Sequence, residues 1–290
     1  MNKIRQIIGN TSSSGRIKCG EELLKKAKGL EEIAARIPSQ ESQKLPRTHS
    51  SSSPSQVSSI QSTDNYWTIT NVNYRNPTDA YQLSKQLLPS KTQDQHAQHA
   101  KQAIASNNFY TPDFPLLYNI IETTHNLRDD STHKDTAEEI RQQLQKWVRA
   151  KWLTTLTRIQ YTPTGKDKII HNHGLDDQYE IEQNFIGKNG QIPANSPEQL
   201  YKDLLGTKSS VQKISEVIQW LNQTPTYIWR LNSKPKKLTE RVAGFVANSD
   251  RANFDCSRGP GSRNGSLGVR RVVVASTEGA SQSAIQGGSS

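Results

Sequence analysis

The amino-acid sequence predicts an α+β fold with a disordered N-terminal tail, a middle section of helices and a β-hairpin, and a C-terminal antiparallel sheet. Three observations support this prediction. Residues 39–62 are rich in Ser and Gln, the middle of the chain has apolar residues at helical spacing, and the C-terminal part alternates apolar and polar residues. Only 32% of the residues are hydrophobic and the mean hydropathy is -0.79, so we expect part of the chain to stay outside any core.

The domain boundaries follow from these changes in composition. Residues 1–63 are predicted to form a disordered tail, within which Glu21–Ile37 has the apolar spacing of one weak amphipathic helix that ends at Pro38. The Ser/Gln-rich part of the tail buries too little apolar surface to offset the entropy of ordering. We expect an α+β domain over residues 64–273 and a second disordered tail over residues 274–290.

Each element of the domain has its own local pattern. Thr78 is expected to cap a helix that ends near Leu88, before Pro89, and Ser196 and Ser210 are expected to cap two later helices, of which the first ends at Gly206. The other predicted helices are Gln93–Ala105, Pro112–His125 and Thr136–Arg149. The predicted strands are Tyr66–Thr70, the hairpin pair Leu156–Tyr161 and Lys168–Ile170, Tyr179–Ile186 and Thr226–Arg230.

The composition excludes several classes of protein. No apolar run approaches the roughly 20 residues that a membrane span needs, and Met1–Ile8 lacks the features of a signal peptide, so we expect a cytoplasmic protein. Cys19 and Cys256 lie too far apart to suggest a disulfide framework or a zinc site. We expect no cofactor, because the sequence contains no phosphate loop or dinucleotide-binding motif.

The net charge of +10 raises nucleic acid as a partner. Lys and Arg are spread along the chain, however, and Lys234, Lys236 and Lys237 form the only tight cluster. We therefore favour a role of this charge in solubility and keep a basic nucleic-acid-binding protein as the first alternative.

Two places in the sequence have residue types that occur in catalytic sites. On a strand, His171 and His173 would point to one face and could bind a metal, which makes a metal-dependent enzyme the second alternative. Surface histidines are the commoner explanation of such a pair. Cys256 is predicted to be a buried structural residue, because no histidine follows His173 to activate it. We predict no catalytic residue and no enzymatic activity.

The C-terminal segment carries a family resemblance. Arg241, Gly244 and Phe245, followed by Gly268 and Arg270, resemble the end of the C-type-lectin fold as used in the formylglycine-generating-enzyme family. The oxidase chemistry of that family needs a cysteine pair near this region, and this sequence has only Cys256 there. The segment is more similar to the variable proteins of diversity-generating retroelements, which display a hypervariable cassette on this fold. Three central stretches also resemble an uncharacterised archaeal family, namely Pro112–Tyr118, Thr157–Gly174 and Thr226–Pro235.

This resemblance implies a recognition protein that displays a diversified surface on residues 241–271 and binds an unknown protein or other macromolecular ligand. In Val246–Ser266, small or apolar residues alternate with polar ones, as expected for a strand with Phe254 pointing inward. An ordinary half-exposed strand would show the same alternation. The candidate ligand-binding residues are Asn248, Asp250, Arg251, Asn253, Asp255, Ser257, Arg258, Arg263 and Asn264.

Overall fold

The computed structural model describes residues 57–183, 190–230 and 235–272, which form five helices and thirteen strands. The helices are α1 (Gln93–Ala105), α2 (Phe114–Asn126), α3 (Lys134–Ala150), α4 (Glu198–Leu205) and α5 (Val211–Asn222). The strands are β1 (Ile60–Ser62), β2 (Tyr66–Ile69), β3 (Ala80–Ser84), β4 (Leu88–Lys91), β5 (Leu153–Tyr161), β6 (Asp167–His171), β7 (Tyr179–Gln183), β8 (Gly190–Pro193), β9 (Thr226–Arg230), β10 (Thr239–Ala247), β11 (Ala252–Arg258), β12 (Asn264–Ser266) and β13 (Val269–Val272). The predicted α+β class is confirmed.

The largest sheet contains seven strands in the order β7-β6-β5-β10-β11-β9-β8. Neighbouring strands are antiparallel except for β9 and β11, which run parallel. The register of β10 against both of its neighbours shifts between Val242 and Gly244. The C-terminal part of the domain is thus a mostly antiparallel sheet, as predicted, and β11 lies inside it with a hydrogen-bonded neighbour on each side.

Two smaller sheets join distant parts of the chain. A four-stranded sheet has the order β1-β2-β3-β13, so the last described strand pairs with one of the first. Strands β4 and β12 form a separate antiparallel pair. The backbone of Tyr110 also pairs with that of Val269, which connects the start of β13 to the segment before α2. These pairings hold the C-terminal strands against residues from the first third of the chain.

The hydrophobic core lies between the seven-stranded sheet and the helices. Helix α2 is buried from Phe114 to His125, and it contacts α3, α4, α5 and β5. Asp113 caps this helix by accepting a hydrogen bond of 2.8 Å from the backbone N–H of Leu116. The rings of Phe114, Phe245 and Phe254 meet where α2 faces β10 and β11. β11 therefore contributes directly to the core.

Most sequence-predicted elements are confirmed. The strand at Tyr66, the hairpin β5–β6, the strand β9 and the helices α1, α2 and α3 are present. Ser210 caps α5, since its hydroxyl accepts a hydrogen bond of 3.2 Å from the N–H of Lys213. Helix α4 begins one residue later than expected: Pro197 is its N-cap, without a side-chain capping bond, and Gly206 ends it with a φ of 58°.

Two predictions about the elements of the fold were wrong. Residues 78–88 contain β3 and the start of β4 rather than a helix, because Ala80–Ser84 is paired with β2 on one side and β13 on the other. The domain also begins before residue 64. Ile60–Ser62 is a strand paired with β2, and the buried Ile60 lies in a stretch that we assigned to the tail because of its Ser and Gln content.

Several predictions fall outside the described residues. They concern most of the N-terminal tail with its helix, the C-terminal tail, Cys19, Lys234, and the part of Tyr179–Ile186 that follows Gln183. Within the described ranges, no helix is long and apolar enough to span a bilayer.

Candidate binding surface on the C-terminal sheet

Strand β11 has one buried face and one outward face. Ala252, Phe254 and Cys256 are at most 1% exposed. The residues that alternate with them, Asn253, Asp255 and Ser257, are partly exposed. The inward position predicted for Phe254 and Cys256 is therefore confirmed. Strands β10 and β9 both pair with residues 252–255 of β11, so the outward side chains of that part are not needed to hold the strand in place.

The outward face extends over the neighbouring strands in cross-strand rows. Asn253 lies between Val246 of β10 and Tyr227 of β9. Asp255 lies opposite Trp229 of β9, which is 40% exposed. Side chains on adjacent strands of one face are close enough to interact, so the polar residues of β11 have two aromatic neighbours. Sequence reasoning assigned β9 as a strand but did not identify Tyr227 and Trp229 as part of the surface.

Arg258 is fixed at one end of this face. Its guanidinium lies 5.0 Å from the centroid of the Trp152 ring, and it donates a hydrogen bond of 2.8 Å to the side-chain oxygen of Asn264. Trp152 in turn covers Gly244, where an added Cβ would lie 2.3 Å from the Trp152 ring. The absence of a side chain at residue 244 thus leaves space for the tryptophan on which Arg258 stacks.

The turn between β10 and β11 is held by Asn248. The side-chain oxygen of Asn248 accepts hydrogen bonds of 2.9 Å from the N–H groups of Asp250 and Arg251, as in an Asx-turn. Its carbonyl accepts a hydrogen bond of 3.2 Å from the side chain of Asn222 at the end of α5. Asp250 is exposed, and the guanidinium of Arg251 donates to the side chain of Gln191 on β8. Asn248 therefore has a structural role in addition to its exposed position.

The loop after β11 leads away from the strand toward the start of α1. Its Arg263 is exposed and donates to the side chain of Gln95 at 3.1 Å and to the carbonyl of Ser90 at 3.0 Å. The backbone N–H of Gln93 donates to the carbonyl of Pro260 at 3.2 Å. Arg263 thus lies beside the N-terminus of α1 rather than in the rows of the sheet.

Asn264 is not on the surface. It is only 8% exposed, because β12 begins at this residue and pairs with Lys91 of β4. Its carbonyl accepts a hydrogen bond of 2.9 Å from Nε2 of the buried His96, whose Nδ1 then accepts a bond of 2.8 Å from Thr111. The prediction that Asn264 points outward was wrong, and its side chain serves to hold Arg258.

Charges of both signs lie on the outward face. Oδ1 of Asp255 accepts hydrogen bonds from the N–H of Ser257 at 2.9 Å and from its hydroxyl at 2.6 Å. Arg251 lies in the turn just before β11, and Arg258 is the last residue of that strand. Such a face can form salt bridges, hydrogen bonds and aromatic contacts with a polar macromolecule.

The two histidines considered for metal binding do not share a face. His171 is buried at the end of β6, where Nδ1 lies 2.9 Å from the Thr157 hydroxyl and Nε2 donates to the carbonyl of Asp203 at 3.0 Å. Burial lowers the pKa of His171 to about 4. Asn172 has a φ of 49°, which ends the strand alternation, and His173 instead contacts Asp94 at 3.3 Å. Among the described residues, no group of three or more His, Cys, Asp or Glu side chains could hold a metal.

No protein-family model, curated protein or solved structure matches this chain.

Proposed function

We propose that this protein is a non-enzymatic recognition protein whose C-terminal sheet binds a protein or another polar macromolecule. The residues proposed to contact the ligand are called the display surface and comprise Tyr227, Trp229, Asp250, Arg251, Asn253, Asp255, Ser257 and Arg258. The observation that carries the proposal is the division of β11 into a buried face and an outward face on a strand with paired backbone on both sides.

The chemistry of the display surface supports binding. Trp, Tyr and Arg are the residue types that most often dominate the energy of protein interfaces. Here Trp229 is exposed beside Asp255, and Arg258 is already held by Trp152 and Asn264 before any ligand binds. A side chain that is fixed in advance loses less conformational entropy on binding, which favours affinity.

The surface is also suited to diversification, which is the property implied by the resemblance to variable proteins of diversity-generating retroelements. Outward residues of β11 can change without creating a core cavity, whereas Phe254 cannot. We propose that Asn248 and Asn264, which sequence reasoning placed among the ligand-binding residues, instead serve the scaffold through the turn and the His96 contact. Arg263 is retained as a peripheral contact.

The decisive test is the nucleotide sequence of this locus in closely related strains. We expect substitutions to concentrate in the codons of Arg251, Asn253, Asp255 and Ser257, while that of Phe254 stays fixed. Synonymous positions of the same gene provide the background rate. Substitutions spread evenly over the described domain would refute a diversified display surface.

A binding titration separates this proposal from nucleic-acid binding. The whole protein is titrated into labelled duplex and single-stranded oligonucleotides at low and moderate salt. Binding through phosphate contacts weakens steeply as salt rises, because counterions are released. We expect no tight complex at either salt concentration. A tight complex that dissociates at moderate salt would instead support the basic nucleic-acid-binding alternative.

A further inference from the structure

A cleft of about 260 Å³ lies among elements that do not contribute to the display surface. Its walls come from the loop between β2 and β3, the end of α1, the turn after β6, and β13. Ile104 lines the cleft, and it is 49% exposed although it is a large apolar residue. The cleft thus offers an apolar contact beside a wall of polar side chains.

Backbone strain is concentrated around this cleft. Arg75, Asn107 and Asn172 line it, and their φ angles are 54°, 50° and 49°. These are three of the five non-glycine residues with positive φ in the described ranges. Residues other than glycine rarely adopt this region, which asparagine tolerates better than arginine does, and strained backbone is often retained at ligand-binding sites.

One wall of the cleft is rigid. The guanidinium of Arg75 lies between two rings, 5.4 Å from the centroid of Tyr74 and 5.0 Å from that of Tyr179. It also donates to the carboxylate of Asp177 and, at 2.9 Å, to the carbonyl of the same residue. Tyr74 is anchored from behind by a hydrogen bond of 3.0 Å to the buried Asp113. These contacts hold the wall in place.

The opposite side of the cleft has hydrogen-bond donors that are still available. The Arg271 side chain is 56% exposed, and within the described part of the chain its guanidinium makes one hydrogen bond, of 2.8 Å, from one terminal nitrogen to Asp79. Its remaining N–H groups can bind another acceptor. The hydroxyl of Tyr110 makes no hydrogen bond with any described residue, and burial raises its pKa, so it remains a protonated donor.

Formal charges also favour an anion. Arg75, Arg270 and Arg271 line the cleft against Asp79 and Asp177, which leaves three positive and two negative charges on the lining. Asp113 lies behind Tyr74, where it accepts hydrogen bonds from the Tyr74 hydroxyl and the N–H of Leu116, and it does not line the cleft. A ligand with one negative charge would balance the lining.

From these observations we propose that the cleft binds a small organic anion, with its carboxylate or phosphate on Arg271 and Tyr110 and its apolar body against Ile104. This site is independent of the display surface and does not require the proposed function. A guanidinium with open N–H groups suits an oxyanion, since charge-assisted hydrogen bonds to it are about twice as strong as neutral ones.

The test uses three probes of one shape and different charge: benzoate, benzamide and benzamidine. Each is titrated into the full-length protein by calorimetry or ligand-observed NMR, with hexanoate and phenyl phosphate as further anions. We expect a benzoate Kd of about 1 mM or tighter, and binding of benzamide at least about tenfold weaker. The proposal would be overturned if benzoate, hexanoate and phenyl phosphate all fail to bind, or if the cation benzamidine binds more tightly than benzoate.

Variants locate the site. Arg271→Gln and Tyr110→Phe should each weaken benzoate binding by about tenfold or more, because each removes a donor to the anion. Arg128→Gln is the matched control, since Arg128 does not line the cleft, and it should bind benzoate like the original protein. Thermal unfolding of each variant shows that it is folded. If the folded variants Arg271→Gln and Tyr110→Phe bind benzoate as tightly as the original protein does, the anion lies elsewhere and the assignment is overturned.

Discussion

Replacing Phe254 with alanine should destabilise the protein more than any outward substitution on the same strand. The ring is 1% exposed, and its centroid lies 5.3 Å from that of Phe114, 5.4 Å from that of Phe245 and 6.1 Å from that of Tyr201. Loss of a buried Phe ring typically costs about 3–5 kcal/mol. Because three aromatic pairs are lost together, we expect a cost of about 4–5 kcal/mol in the free energy of unfolding.

Urea and thermal unfolding of the full-length protein measure this cost. For a domain of roughly 150–250 residues, 1 kcal/mol shifts the Tm by about 2–4 °C, so Phe254→Ala should lower the Tm by about 8–20 °C. Asn253→Ala is the matched control, as the adjacent outward residue of β11, and should change the free energy of unfolding by no more than about 0.5 kcal/mol. A loss below about 1 kcal/mol for Phe254→Ala, or an equal loss for both variants, would refute the division of β11 into two faces.

Two further substitutions test other parts of the structure. Gly244→Ala should lower the free energy of unfolding by about 1–3 kcal/mol or more, because its Cβ would lie 2.3 Å from the Trp152 ring. The control is Gly261→Ala, whose Cβ meets no atom within 4 Å, and it should leave the free energy of unfolding measured in urea nearly unchanged. Burial lowers the pKa of His171 to about 4, from the ordinary 6.5 of histidine. The stability that this neutral ring supports is therefore fully present above pH 6.5 and is lost as the pH falls toward 4, by on the order of 3 kcal/mol. The difference in the free energy of unfolding between the original protein and His171→Gln should shrink over that range, with the partly exposed His133 changed to Gln as the control, and an unchanged difference would contradict the burial of the His171 ring.

The helices were predictable because their signals are local. Helix α5 has a serine N-cap and apolar residues at Ile214, Val217, Ile218 and Leu221, all of which are buried. Helix α3 likewise buries Ile140 and Leu144 at helical spacing. Capping and periodicity require only residues within a few turns, so one sequence is enough to identify them.

The strand β3 could not be predicted in this way. Ala80, Tyr81 and Leu83 fit a helix about as well as a strand, and Thr78 resembles a helix cap. What decides the conformation is hydrogen bonding to β2 on one side and to β13 on the other, with Tyr81 opposite Arg271. A partner this distant along the chain leaves no local signal, so tertiary pairing overrides the helical pattern.

The candidate surface was predictable only in part, because the alternation along one strand is a local signal and the pairing of strands is not. The alternation along β11 gave the correct inward residues, but Tyr227 and Trp229 join the surface only because β9 pairs parallel to β11. Asn264 was placed outward from the alternation of apolar and polar residues in Val246–Ser266, whereas its burial depends on β4 and on His96. Position along a strand indicates a face, and the partners of that face are fixed by topology.

The outward residues of β11 also differ in how much the scaffold depends on them. Within the described part of the chain, Asn253 makes one side-chain hydrogen bond, a weak one of 3.5 Å from Gln191. Asp255 holds Ser257 through two bonds, and Arg258 is fixed between Trp152 and Asn264. A replacement at residue 253 therefore changes only what a ligand would meet, whereas a replacement at residue 258 also exposes the Trp152 ring that packs over Gly244. Residue 253 is thus the position on β11 where a new side chain disturbs the protein least. At Arg258 the contact with a ligand and the packing of the scaffold depend on the same side chain.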